Sequence, residues 1–273
     1  MRPGGYATDY HVHTARCGHA GGTMREYVDA ALARGLSEVA FTDHAPLYFL
    51  PGDDPDPGLA MTRAELPGYV EEVLALREEY RGRIDVLLGI EADYAEGHEA
   101  ALRDLLAPYD WDVVLGSVHW VAGAWIDAPG AARRHREEGT VFLWWEYWRL
   151  LARAASSGLF DVLTHLDLPK KFGDRMPESL AASEERAVEA TRAAGVAVEV
   201  SSAGLRKAVG EEYPSPPLLA RLVAAGVPIV LSSDAHAPAE VAFSRPKIVA
   251  AALRDGAAEH LSFRRRQRRR HPL

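Results

Sequence analysis

Along the chain, short apolar runs alternate with longer stretches whose apolar residues recur every three or four positions. The short runs cover residues 7–10, 38–42, 84–90, 113–118, 161–164, 196–200 and 229–232. Most are dense in Val, Ile or Leu, as strands of a parallel sheet covered on both faces must be. Between them the helical period predicts helices over 24–34, 63–80, 98–106, 140–156, 178–194, 217–225 and 245–255. Thr62 followed by Glu65 spells a capping box, and Gly35, Gly158, Gly195 and Gly226 stand where left-handed helix stops belong. Strict alternation of strand and helix demands right-handed crossovers and a parallel α/β sheet. Periodicity leaves two closures open, a doubly wound open sheet and a barrel. No linker divides the sequence, so residues 1–273 read as one domain. The longest irregular stretches, 46–61 and 121–138, read as loops over the mouth of a site.

Composition narrows the class. Of 273 residues, 48% are apolar, enough for a full core and incompatible with disorder. The single cysteine, Cys17, excludes a disulfide framework and a cysteine-rich zinc module. With no apolar leader over residues 1–14 and no apolar run long enough for a membrane span, it predicts a soluble, cytoplasmic protein. A net charge of −8 argues against general nucleic-acid binding, although residues 264–270 hold six arginines around Gln267. A charge run alone carries no shape or stacking information, so the tail 264–273 reads as a solvated, flexible end.

The eleven histidines are informative through their placement. The first strand runs into Asp9-Tyr10-His11-Val12-His13, the second into Thr42-Asp43-His44, the third into Glu91 and the fourth into His119. The fifth runs into His165 and the seventh into Asp234-Ala235-His236. In a parallel α/β fold all strand C-termini open on one face, so these side chains converge. One strand-end histidine alone is more often a hydrogen-bonded rim residue, but six strand ends with the same bias point to a metal site. His11 and His13 share a side through the two-residue strand period, and Asp234 with His236 repeats that spacing. Imidazole and carboxylate without thiolate favour Zn, Mn, Fe or Co, and Glu91 can bridge two ions.

After the sixth strand the chain reads Ser201-Ser202-Ala203-Gly204-Leu205-Arg206-Lys207. Two hydroxyls, a glycine and two cations on the same barrel face suit phosphate better than a plain solvent-facing basic loop. Trp120, beside His119, is a candidate substrate wall. Trp144, Trp145, Tyr147 and Trp148 on one helix read as core or subunit packing. Cys17 reads as a neutral neighbour of the ligands, and His98, His135, His260 and His271 as surface residues.

The sequence resembles the polymerase and histidinol phosphatase (PHP) superfamily, and within it the histidinol-phosphate phosphatases. The likeness runs nearly end to end and rests on His11-Val12-His13-Thr14, His19, Asp43-His44, Glu91, His119, His165 and Asp234-Ala235-His236. The narrower likeness rests on Cys17-Gly18-His19-Ala20, Gly116-Ser117-Val118-His119-Trp120, and the Ser202 to Lys207 segment followed by Glu212-Tyr213-Pro214-Ser215. Ser201-Ser202 departs from the Asn-Thr that members of this branch often carry. The resemblance implies a distorted (β/α)7 barrel and three divalent ions, Zn, Fe or Mn. One ion would be held by His11, His13, Glu91 and Asp234, a second by Glu91, His119 and His165, and a third by His19, His44 and His236. It further implies hydrolysis of L-histidinol phosphate without a covalent phospho-enzyme, with Asp234, His236 and Arg206 as catalytic residues and Arg206, Lys207, Ser202 and Trp120 on the substrate. A phosphodiesterase or 3′-5′ exonuclease on the same scaffold and a non-catalytic metal-binding module are the alternatives.

Overall fold

Each apolar run forms a strand and each helical run a helix in the computed structural model, which describes residues 6–128 and 130–273. Strands β1 (Thr8–Asp9), β2 (Glu38–Phe41), β3 (Asp85–Asp93) and β4 (Val113–Ser117) come first, followed by a small hairpin of β5 (Trp120–Val121) and β6 (Ala124–Trp125). Strands β7 (Val162–Leu163), β8 (Ala197–Ser201) and β9 (Ile229–Ser232) complete the main sheet. Its order is β1-β2-β3-β4-β7-β8-β9, every pair parallel. A parallel bridge between Val12 and Ala235 joins the last segment to the first, so the sheet rolls into a nearly closed seven-stranded barrel.

Helices α1 (Met24–Ala33), α2 (Leu66–Glu79), α3 (Glu99–Leu106), α4 (Ala131–Glu138), α5 (Thr140–Ser156), α6 (Ala181–Ala194), α7 (Pro216–Ala224) and α8 (Arg245–Arg254) link the strands. Thr62 and Glu65 do form the reciprocal hydrogen bonds of a capping box, but one turn before α2 begins at Leu66. The stretch 121–138 is more ordered than an open loop, because the β5–β6 hairpin and α4 occupy most of it. On α5, Trp144, Tyr147 and Trp148 are buried, while Trp145 stays exposed.

The C-terminal tail departs most from the sequence reading. Instead of a solvated end, it forms an antiparallel hairpin of β10 (Glu259–Arg264) and β11 (Gln267–Pro272). The hairpin sits under the strand N-termini: Phe263 N donates to the Tyr10 hydroxyl at 2.7 Å, and Leu261 and Phe263 join the inner barrel cluster of Ala40, Leu87, Val113, Val162, Ala197 and Val230. Its arginines meet acids at the N-terminal ends of three different strands. Arg264 pairs with Asp85 at 3.3 Å, Arg266 with Asp161 at 2.9 Å, and Arg265 N donates to Asp112 at 3.1 Å. Two histidines read as surface residues are buried for related reasons. The ring of His260 hydrogen-bonds the Tyr6 carbonyl at 2.9 Å, and His135 lies edge-on to Phe172. His98 is exposed, as expected, and His271 is half-buried.

Because Phe263 plugs the barrel floor, Phe263→Ala should cost about 3–5 kcal/mol, as large aromatic truncations in cores do. Arg269→Ala, on an exposed hairpin position, should change stability by less than about 0.5 kcal/mol. Urea unfolding of the two variants checks both values, and equal stabilities would return the hairpin to the status of an ornament.

Candidate metal centre

The two-residue strand period sorts side chains between lumen and helices. In β3, Val86, Leu88, Ile90 and Ala92 pack outward with the helices, whereas Leu87 faces the inner cluster. Glu91 therefore continues the inner row toward the strand's C-terminal end. In β8, Ala197 is inner, Val198 and Val200 are outer, and Glu199 follows Ala197. Each inner row thus starts apolar at the floor and ends in a ligand-type group near the mouth. Two of these end residues, His165 and Asp234, sit at φ values of 26° and 52°, left-handed backbone that non-glycine residues adopt at a cost and that tends to cluster at functional sites.

All nine candidate ligands meet in one place. Glu91 is the hub: its Oε2 lies 3.2 Å from His11 Nε2 and 3.0 Å from His44 Nδ1, and its Oε1 lies 3.1 Å from His165 Nε2. His13 Nε2 stands 3.1 Å from Asp234 Oδ1, and His119 Nε2 stands 3.2 Å from His165 Nε2. Among the described residues five groups of donor atoms converge, and three of them together take in all nine candidates: His11 with His13 and Asp234, Glu91 with His119 and His165, and His19 with His44 and His236. The first two are deep, whereas His19, His44 and His236 stand toward solvent.

The unused edge of several rings is anchored. Glu199 holds His11 Nδ1 at 2.7 Å, Asp43 holds His13 Nδ1 at 3.3 Å, and Asp93 holds His119 Nδ1 at 3.0 Å. For His19 the backbone carbonyls of Cys17 and Gly58, at 2.9 and 3.0 Å, do the same. An N–H on Nδ1 donating outward leaves the Nε2 lone pair facing inward, the tautomer a metal ligand needs. The residues fit a cation by a second criterion. His11 Nε2 and Glu91 Oε2 are fully buried and face each other, yet neither makes a hydrogen bond of acceptable geometry. Two buried lone-pair-bearing atoms left in this state are costly unless a cation lies between them.

Electrostatics in the cluster agree. Burial opposes ionisation of Glu91 and Asp234, but the surrounding imidazoles hold both carboxyls well below the usual range. Burial and neighbouring histidines push His44 down strongly and His236 to about 3, so both remain neutral donors. Burial would also lower His11, but Glu91, Glu199 and Asp234 raise it well above its ordinary value; His119 rises to about 10 against its own burial, drawn up mainly by Asp93 and Asp127. Protons on those rings balance the carboxylates, and cations binding there would release them.

A cavity of about 500 Å³ opens over the cluster. Of the residues expected on the substrate, Lys207 lines it. Arg206 turns aside: its guanidinium donates to the Ser233 and Asp234 carbonyls at 2.9 and 2.8 Å and pairs with Glu240 at 3.3 Å, fixing the backbone of Asp234 where the left-handed turn leaves those carbonyls in need of donors. Ser202 is buried behind the strand end, away from the cavity lining, and Trp120 packs on Phe49 and Trp125. Cys17 Sγ lies close enough to His13 and His236 to make a further candidate triad. Sequence reasoning missed Glu199, Asp93, Asp127 and Lys171, and it met Tyr213 only inside a motif, with no role. Glu199 did carry a signal, being the lone acid inside an otherwise apolar strand.

Residues 9–203 match the PHP domain. The chain belongs to the PHP family. A PHP relative from Deinococcus radiodurans, named probable histidinol-phosphatase, is 42% identical over 263 residues, 95% of this chain and 97% of that one. The histidinol-phosphatase of Bacillus subtilis is 30% identical, with 86% of this chain and 96% of that one covered. These likenesses place the chain in the histidinol-phosphatase branch of the PHP family. Among solved structures, histidinol phosphate phosphatase from Lactococcus lactis, determined with Zn, L-histidinol and phosphate, superposes at a TM-score of 0.77 and 20% identity, covering 96% of this chain and 98% of that one. At that identity it shows the PHP barrel as a fold.

The anchoring carboxylates generate a prediction. Glu199 accepts from His11 Nδ1, from His165 N at 2.6 Å and from the Ser232 hydroxyl at 2.5 Å. Glu199→Gln should lower metal affinity by roughly 10–100-fold, the usual penalty for losing an outer partner of a ligand. Competition with a chromophoric chelator measures it, and an unchanged affinity would remove Glu199 from the support of the centre.

Proposed function

We propose that the protein hydrolyses L-histidinol phosphate to L-histidinol and inorganic phosphate, using divalent cations held by His11, His13, His19, His44, Glu91, His119, His165, Asp234 and His236. The observation that carries this reading is the convergence of nine ligand-type side chains, all buried or half-buried except the exposed His19, beneath a cavity that a small phosphomonoester can enter. The branch to which the chain belongs supplies the substrate. Divalent ions bound there lower the pKa of water and neutralise charge on phosphoryl oxygens, and zinc, iron and manganese all suit nitrogen and oxygen donors.

The chain's own residues do the positioning. Lys207 at the rim and Lys171 on the wall attract the anionic end of the substrate. Asp127, half-buried on the opposite side of that wall charge, pairs with Lys171 at 2.9 Å and offers an anion for the substrate's cationic end. Leu59 and Leu168 exclude water beside them. Arg206 holds the Asp234 turn in register, so its part is to position a ligand.

A nucleic-acid substrate fits less well. The arginine hairpin lies under the strand N-termini, at the end of the barrel opposite the cavity, and Arg264 and Arg266 are paired there with Asp85 and Asp161. Among the described residues no helix is long and apolar enough to cross a membrane; a cytoplasmic site of action suits a small metabolite substrate.

Phosphate release from L-histidinol phosphate, other monoesters and single-stranded DNA, measured side by side, tests the assignment. Histidinol phosphate should be the best substrate, and nucleotide release without activity on it would reverse the reading. Asp234→Ala and His119→Ala should each lower turnover by at least about a thousandfold while the barrel stays folded by circular dichroism; wild-type rates in either would reject the metal mechanism.

A further inference from the structure

Among the cavity-lining side chains outside the ligand set, Tyr213 combines full burial with an unmet hydrogen bond. It is 1% exposed, and its hydroxyl has no hydrogen-bond partner among the described residues. A buried donor left alone is costly in a folded protein, so its persistence calls for a bound molecule that completes it. The ring is not there by slack packing. Tyr213 N donates to the Ser201 carbonyl at 3.0 Å and its own carbonyl accepts from Ser201 N at 2.7 Å, which ties it to the end of β8. Lys170 Nζ lies 4.9 Å over its face, and its edge meets His165 at 6.3 Å between centroids.

That placement sets the Tyr213 ring on the cavity wall beside the ligand candidate His165. A phenol hydroxyl is both donor and acceptor, so it can donate to an oxygen brought beside it. In phosphoryl transfer from an alkyl ester, negative charge grows on the departing oxygen, and an alkoxide is a poor leaving group without a donor. The cations and Lys207 serve the phosphoryl oxygens, which leaves the ester oxygen to be served from the wall. Building on the phosphatase reading above, we propose that Tyr213 donates a hydrogen bond to the ester oxygen of the bound substrate and stabilises the departing alkoxide.

Tyr213→Phe tests this in the metal-loaded enzyme with L-histidinol phosphate, ethyl phosphate and p-nitrophenyl phosphate. The variant should lose on the order of a hundredfold in kcat on both alkyl esters and less than about threefold on the aryl ester, whose leaving group needs no donor. Bound metal should stay at the wild-type level, and Tm should stay level or rise, since an orphan hydroxyl is removed. Equal losses on alkyl and aryl esters, no loss on any of them, or a loss of metal that parallels the loss of activity would each overturn the role. A wild-type enzyme that cleaves the other two esters but not histidinol phosphate would sink the substrate assignment alone, and the ethyl and p-nitrophenyl arms would still decide the case of Tyr213.

Discussion

The structure turns on one buried carboxylate. Glu91 is 2% exposed and has histidine nitrogens against both oxygens, with His11 and His44 on one and His165 on the other. A lone charge in that position would be expelled or protonated. It survives because the barrel brings imidazoles from the ends of β1, β2, β4 and β7 around it, and because further positive charge can enter between those donors. The seven-stranded parallel sheet is the device that makes this possible: every strand delivers its last inner side chain to the same face, whatever the distance in sequence.

Holding so many like-natured groups together needs a second layer. Glu199, Asp43 and Asp93 each grip the outer nitrogen of one histidine, and Arg206 and Asp9 fix the loop that carries Asp234. Asp9 accepts from Ser233 N at 2.9 Å and from Ala242 N at 2.7 Å, so the first strand clamps the last. The same contacts that close the barrel therefore set ring orientation in the site, and fold and chemistry are stabilised by one set of hydrogen bonds.

Much of this was legible in the residues. Strand ends rich in His and Asp are visible in one dimension because a parallel barrel maps strand termini onto one face, and the seven runs and their helices follow from apolar period alone. What stayed hidden depended on contacts between remote segments. Arg206 reads as a phosphate clamp because its neighbours on the loop are hydroxyls and a lysine; that its Nη2 also holds the carbonyls of Ser233 and Asp234, left open by a left-handed turn, depends on a segment remote in sequence. The arginine tail looked unsupported because its acidic partners, Asp85, Asp112 and Asp161, stand at the starts of three separate strands. Asp127 was lost in an irregular stretch without periodicity, and the orphan state of the Tyr213 hydroxyl is a property of the packed cavity that no spacing encodes.

The account stands or falls on cations sharing Glu91. Anomalous X-ray diffraction from crystals of the purified protein, collected on either side of the zinc, iron and manganese edges, addresses this directly. It should show three ions, two of them flanking the Glu91 carboxylate and the third among His19, His44 and His236. A well-ordered cluster that holds no metal after growth and purification with all three ions supplied, its histidines bonded only to each other and to water, would contradict it.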